Sequence, residues 1–104
     1  KSIRKRIGGE VVMLKQFFEA NDEMLDLYTN AITKAHGKNH PEVFEVRKLY
    51  ETIQHKIQGN NMDLSNEFSE LRDVTKDFAI PDDVCETFTK TYQLLKQFVE
   101  LSQE

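Results

Sequence analysis

The 104-residue sequence contains one cysteine and no tryptophan. A single thiol, Cys85, cannot close a disulfide within the chain, which favours a reducing compartment and predicts a cytoplasmic protein. No stretch approaches the roughly 20 consecutive apolar residues that a membrane span needs. The basic start of the chain is not followed by an apolar segment, so it does not read as a signal peptide. These absences argue against a disulfide-stabilised secreted domain and against a membrane protein.

The charge is unevenly distributed. Segment 1–9 has four basic residues and no acidic residue, which gives it a charge of +4. Because the net charge of the whole chain is −4, the remaining residues together carry a charge of −8. An acidic body repels phosphate, and a short basic arm is a weak footprint for nucleic acid, so no nucleic-acid partner is expected. Gly8 and Gly9 suggest a flexible joint, which divides the chain into a basic arm or linker, 1–9, and a domain, 10–104.

Apolar residues make up 38% of the chain and charged residues 31%, a balance typical of a solvated helical domain with one core. The first helix is predicted from Val11 to His36, where Gly37 would take the left-handed conformation of a C-cap. Apolar side chains recur there at steps of three and four, the spacing of one helix face. This inner stripe comprises Val11, Leu14, Phe18, Asn21, Leu25, Tyr28, Ile32 and Ala35.

Three further helices are predicted from residues that start and stop helices. Helix 2 is predicted from about Pro41 to the stop at Gly59, helix 3 from an N-cap at Asp63 to Phe78, and helix 4 from Pro81 onward. The short connections favour consecutive antiparallel neighbours, and no segment alternates like a strand. The sequence therefore predicts an all-α, up-down-up-down antiparallel four-helix bundle.

Helix 1 is predicted to be longer than helices 2 and 3, so its N-terminal part overhangs them beside the end of helix 4. Exposed aromatic and aliphatic side chains at this open end would form an apolar patch that needs a partner. We expect an interaction surface there, for a protein partner or for a homodimer. Its predicted members are Val11, Leu14, Phe17, Phe18, Phe98 and Leu101.

No residue pattern indicates an enzyme. His36 and His40 straddle the turn between helices 1 and 2, so they could be metal ligands or simply capping and turn residues. Glu51 and His55, four residues apart on helix 2, could hold a metal or form an exposed helix pair. Cys85 has no histidine in its own segment and reads as a small buried hydrophobe. We therefore predict no catalytic residue and no cofactor.

Two segments carry a family resemblance. Residues 35–42, AHGKNHPE, resemble the "VHG-x-x-HPEL" turn of the hemerythrin-like iron–sulfur cluster repair proteins, the repair-of-iron-centres family. Residues 71–88, LRDVTKDFAIPDDVCETF, resemble that family's "LRELTNDYTPPEDACNTW" segment, and Tyr92, Leu95 and Lys96 continue the likeness. The order and spacing of both segments agree with the family.

The resemblance implies a bundle that holds two irons through His and Glu and repairs iron–sulfur clusters after oxidative or nitrosative stress. The family's ligands are not matched here: the helix 1 His falls on Lys15, the helix 2 motif has no counterpart, the helix 3 His falls near Asn61, and the helix 4 motif would lie beyond Glu104. We therefore expect a degenerate member without the di-iron site that acts through protein contact. The alternative is an iron-dependent repair or sensing protein whose ligands come from outside this chain.

Overall fold

The computed structural model describes the backbone of residues 2–102 and the side chains of residues 11–102. Within that part of the chain the fold is all-α, with four helices and no strand, as predicted. The helices are α1 (Ser2–His36), α2 (Glu42–Gln58), α3 (Ser65–Val74) and α4 (Glu86–Leu101). Helix α1 packs against α2 and α4, and α2 also packs against α3. No helix in the described residues is long and apolar enough to cross a membrane.

Helix α1 begins earlier than predicted, because its backbone is helical from Ser2 and continues through Gly8 and Gly9. At 1.5 Å per residue its 35 residues span about 52 Å, about twice the length of α2. The side chains of segment 1–8 are not among those that the structure describes. The division into an arm, 1–9, and a domain, 10–104, therefore stays a prediction.

The core contains half of the predicted inner stripe of helix 1. Its buried members are Leu14, Phe18, Leu25 and Ile32, whereas Val11, Asn21 and Tyr28 are half-buried and Ala35 is exposed. Leu25 and Ile32 of α1 are fully buried, as are Val46 and Ile53 of α2. Phe68 of α3 meets Phe98 of α4 with ring centroids 5.2 Å apart, which ties these two helices together. On α2 the apolar residues at steps of three and four are all buried, namely Val43, Val46, Tyr50, Ile53 and Ile57.

A network of hydrogen bonds and one ion pair joins α1 to α2 beside this core. The buried Tyr50 hydroxyl donates a hydrogen bond to Asp22 Oδ1 at 2.6 Å, and Gln54 Nε2 donates to the same oxygen at 2.9 Å. Gln54 also donates to Asp26, and Arg47 pairs with Asp26 at 3.0 Å. The hydrogen bond from Gln54, helped by Arg47, lowers the pKa of Asp26 below its ordinary value. These contacts fix which side of α1 faces α2.

Helix α3 is shorter than predicted, since it ends at Val74 and not at Phe78. Lys76, Asp77 and Phe78 all have positive φ angles, which a helix cannot contain. The Thr75 hydroxyl donates to the Leu71 carbonyl at 2.6 Å and accepts from the Phe78 N–H at 2.9 Å. This turn redirects Phe78 into the core, where its side chain is buried.

Two predicted helix starts were also wrong. Helix α4 begins at Glu86 with Cys85 as its N-cap, so Pro81 lies in the loop that precedes it. The N-cap of α3 is Leu64 and not Asp63. Asp63, one residue before this N-cap, still contacts the first turn of α3, because its carboxylate accepts a hydrogen bond from the Ser65 hydroxyl at 2.8 Å.

The role predicted for Gly37 was wrong as well, because no glycine in the described residues has a positive φ. Gly37 is buried, and a Cβ placed there would lie 2.4 Å from the Thr33 carbonyl oxygen and 2.5 Å from Cζ of Phe44. The position therefore requires glycine for space. At the end of α2 it is Asn60, with φ of 64°, that adopts the left-handed conformation.

This difference between glycines gives a matched test. We expect Gly37→Ala to destabilise the protein by about 1–3 kcal/mol, because the backbone oxygen of Thr33 cannot move without distorting the last turn of α1. Gly59→Ala is the control: its Cβ would lie 3.4 Å from the nearest atom, and its φ of −91° is ordinary. Urea unfolding should show Gly59→Ala as neutral or stabilised by up to about 1 kcal/mol. Equal losses in both variants would contradict this account.

Candidate functional site

A histidine and a cysteine that are 49 residues apart in sequence meet at one end of the molecule. His36, in the last turn of α1, places Nε2 3.1 Å from Sγ of Cys85. The Cys85 backbone N–H points to the same nitrogen at 3.4 Å. Because a backbone N–H can only donate, Nε2 serves as an acceptor here, and the Cys85 thiol can donate its proton to it. We call His36 and Cys85 the thiol–imidazole pair.

Next to this pair, His40 bridges two carboxylates. Its Nε2 lies 2.9 Å from Asp83 Oδ1, and its Nδ1 lies 3.4 Å from Glu42 Oε2. The hydrogen bond from His40 lowers the pKa of Asp83 below its ordinary value. The lowered pKa means that the ionised form of Asp83 makes the contact with His40. Lowering the pH through the pKa of Asp83 therefore weakens this contact. These contacts hold Asp83 in the loop before α4.

Phe88, in the first turn of α4, positions both histidines. Its fully buried ring meets the His36 ring at 5.3 Å and the His40 ring at 5.7 Å, in edge-on geometry. Phe88 also packs on Tyr92 at 4.4 Å. The imidazoles are therefore held against the end of the core by aromatic contact.

The prediction that Cys85 is a small buried hydrophobe was wrong, since the residue is exposed. It caps α4 at the surface because the core positions of this turn go to Phe88, and the loop side chain that reaches inward is Phe78. A solvent-accessible thiol with a proton acceptor in contact is an arrangement suited to nucleophilic reaction. Sequence spacing gave no signal for this pair, because its members lie on different helices.

A pocket of about 360 Å³ opens beside His40 and is lined by Glu42, Lys76 and Ile80 among others. Tyr92 forms part of its wall. The Tyr92 hydroxyl is buried and has no hydrogen-bond partner among the described residues, and burial raises the pKa of this phenol.

The four residues weighed as metal ligands do not come together as one set. His36 and His40 lie at the thiol–imidazole end, with ring centroids 6.4 Å apart. Glu51 pairs with Arg47 at 3.2 Å, and His55 is exposed further along α2. No group of three or more His, Cys, Asp or Glu side chains in the described residues could hold a metal ion.

The predicted interaction surface lies where α1 meets the end of α4. Phe17 stacks on Phe98 with ring centroids 5.1 Å apart. Leu14, Phe18 and Phe98 are core residues, whereas Val11, Phe17 and Leu101 are half-buried. A shallow pocket of about 320 Å³ beside Phe17 and Leu101 remains open there. Whether this end binds a partner stays a prediction.

The structure also displays an apolar surface that the sequence reasoning missed. Met24 is 39% exposed and Leu27 64% exposed, on the outer side of α1. They belong to a second stripe with heptad spacing, about 120° around the helix from the inner stripe. We call this set the outer stripe, and it comprises Met13, Ala20, Met24, Leu27 and Ala31.

Four members of the outer stripe, Met13, Ala20, Met24 and Leu27, are exposed, and Ala31 is half-buried. Phe17 lies at its edge, where it also reaches Phe98 of α4. The signal was present in the sequence, since these residues repeat at steps of three and four around Phe17. The outer stripe was not recognised because the inner stripe repeats with the same period and contains more apolar residues than the outer stripe does.

Together these features define an all-α protein of four packed helices with a thiol–imidazole pair at one end and an exposed apolar stripe along α1. No protein-family model, no curated protein and no solved structure matches this chain.

The thiol–imidazole pair makes a kinetic prediction. Cys85 in the folded protein should react with the aromatic disulfide DTNB, and His36→Gln should slow the reaction by about tenfold at neutral pH because the proton acceptor is lost. This is less than the roughly 100-fold or more that a positioned base supplies in an enclosed site, since the pair is open to water. His55→Gln is the control and should react at the wild-type rate. A His36→Gln rate equal to wild type would contradict a role for the pair.

Proposed function

We propose that this chain is a hemerythrin-like bundle without a di-iron centre, and that it acts as a regulatory module through protein contact and not as an enzyme. The observation that carries the proposal is the outer stripe, a row of apolar residues along α1 with Met24 39% and Leu27 64% exposed. Exposed apolar patches on a small protein are typical of interaction sites.

An antiparallel up-down-up-down arrangement is part of the proposal. Two contacts support it: Phe17, early in α1, stacks on Phe98, late in α4, while His36, at the end of α1, contacts Cys85 at the start of α4. The short turn of residues 37–41 between α1 and α2 also favours antiparallel neighbours.

The hemerythrin-like relationship rests on the sequence likeness in residues 35–42 and 71–88. Both segments meet at one place, because His36 and His40 from the first contact Cys85 and Asp83 from the second. Neither segment carries the family's iron ligands. This contact supports a bundle that retains the family's packing without its metal chemistry. A role linked to iron–sulfur or oxidative and nitrosative stress in the cytoplasm is the part of the proposal that rests on the sequence likeness alone.

Substitution at the centre of the outer stripe tests the interaction. Leu27→Glu should weaken partner binding by at least about tenfold, because a buried interface would have to desolvate the added carboxylate. Gln58→Glu is the matched control, since it adds the same charge at an exposed position of α2. Tagged wild-type and variant proteins would be compared by quantitative affinity capture from cell extract. Equal capture by all three proteins would contradict the proposal.

Metal analysis of the same preparations separates the two functional hypotheses. The proposal expects far less than one iron per chain after expression in iron-rich medium. About two irons per chain would instead support an iron-dependent repair or sensing protein.

A further inference from the structure

The pocket beside His40 is built from three separate parts of the chain. Its volume is about 360 Å³, and its lining comes from the start of α2, from the loop that follows α3 and from α4. Glu42 contributes from α2, Lys76 from the loop and Tyr92 from α4. A concave site of this size, in which a few polar groups converge on an apolar wall, is the usual form of a small-molecule site.

The Tyr92 hydroxyl is the buried polar group of this pocket. Tyr92 is only 1% exposed, and its ring packs on Phe88 at 4.4 Å and on Phe78 at 6.4 Å. Burial, helped by the nearby charge of Glu42, raises the pKa of the phenol, so it stays protonated. Because Glu42 and Tyr92 line the same pocket, the hydroxyl faces it. With no hydrogen-bond partner among the described residues, its O–H can donate to a group that enters.

The pocket offers a negative and a positive group from different elements. The Glu42 carboxylate lies 3.4 Å from His40 Nδ1 and can accept further hydrogen bonds. Lys76 is exposed and brings an ammonium group from the loop. His40 also lines the pocket, but its Nε2 lies 2.9 Å from Asp83, so both of its ring nitrogens already face carboxylates. The groups that a ligand can use are therefore one acceptor, Glu42, and two donors, Tyr92 and Lys76.

This set of groups selects a ligand by its charges. An anion such as phosphate would meet Lys76, but it would also meet the negative charges of Glu42 and Asp83. A simple amine would bind Glu42, but it would leave the Tyr92 O–H without an acceptor. An α-amino acid carries both charges next to each other, so its ammonium can donate to Glu42 while its carboxylate accepts from Tyr92 and Lys76.

We propose that this pocket binds a free α-amino acid with an apolar side chain, whose ammonium pairs with Glu42 and whose carboxylate accepts hydrogen bonds from Tyr92 and Lys76. The rest of the wall favours an apolar side chain, since it includes Val74, Ile80 and Pro81. The pocket contains no residue of α1 and is separate from the outer stripe. This inference therefore goes beyond the proposed function and does not depend on it.

NMR titration of the isotope-labelled protein with L-leucine, L-valine and L-phenylalanine tests the proposal. Backbone amide signals of residues 74–80 should shift and saturate, with a Kd of about 1 mM or less for L-leucine. Isocaproate is L-leucine without its ammonium and isoamylamine is L-leucine without its carboxylate, so each should bind at least about tenfold more weakly. No saturable shift with any of the three amino acids at about 20 mM would overturn the site. Equal binding of L-leucine and either analogue would overturn the assigned charge pairing.

Substitutions in the pocket separate its binding role from a structural one. Tyr92→Phe keeps the ring packing and loses no hydrogen bond among the described residues, so its urea unfolding should match wild type while its affinity for L-leucine falls about tenfold. Glu42→Gln should weaken L-leucine by about tenfold but should not weaken isocaproate, which has no ammonium. Tyr28→Phe is the matched control, because it removes a hydroxyl from a half-buried tyrosine outside the pocket. Wild-type affinity in Tyr92→Phe, or an equal loss in Tyr28→Phe, would contradict the proposal.

Discussion

The packing of α1 against both α2 and α4 is the contact on which the rest of the structure depends. Leu25 and Ile32 place the inner stripe in the core, and the hydrogen bonds from Tyr50 and Gln54 to Asp22 set the rotation of α1 relative to α2. Stacking of Phe17 on Phe98 and the contact of His36 with Cys85 hold α4 along the same helix. Helix α3 depends on this frame, since it packs mainly on α2 and reaches α4 through Phe68.

Once the rotation of α1 is set, its second apolar face must point outward. The side toward α2 carries Asp22 and Asp26, and the side toward α4 carries Phe17 and Tyr28. Met24 and Leu27 lie on neither side and remain 39% and 64% exposed in the described part of the chain. Burying a Met or Leu side chain is worth roughly 1.5–3 kcal/mol. A helix that uses one face to organise its own bundle and retains a second apolar face is well suited to assembly, which is the role that we propose.

The fold was predictable because the buried residues of each helix repeat with helical period, and Val43, Val46 and Ile53 needed no tertiary information to assign. The helix ends were less predictable. Lys76, Asp77 and Phe78 adopt left-handed angles that their residue types do not signal, and the Thr75 hydroxyl stabilises that turn. Gly37 was assigned as a cap from its type alone, whereas its role is set by the approach of Phe44 and Thr33. The thiol–imidazole pair depends on packing between distant segments, so spacing in the sequence could not reveal it.

The central claim is that α1 has an inner face that stabilises the bundle and an outer face that does not. Leu25 and Leu27 lie two residues apart on this helix, yet Leu25 is fully buried and Leu27 is 64% exposed. Urea unfolding of the two alanine variants in dilute solution measures the difference directly. The account predicts a loss of about 2–5 kcal/mol for Leu25→Ala and a change within about 0.5 kcal/mol for Leu27→Ala. Comparable losses for the two variants would contradict it.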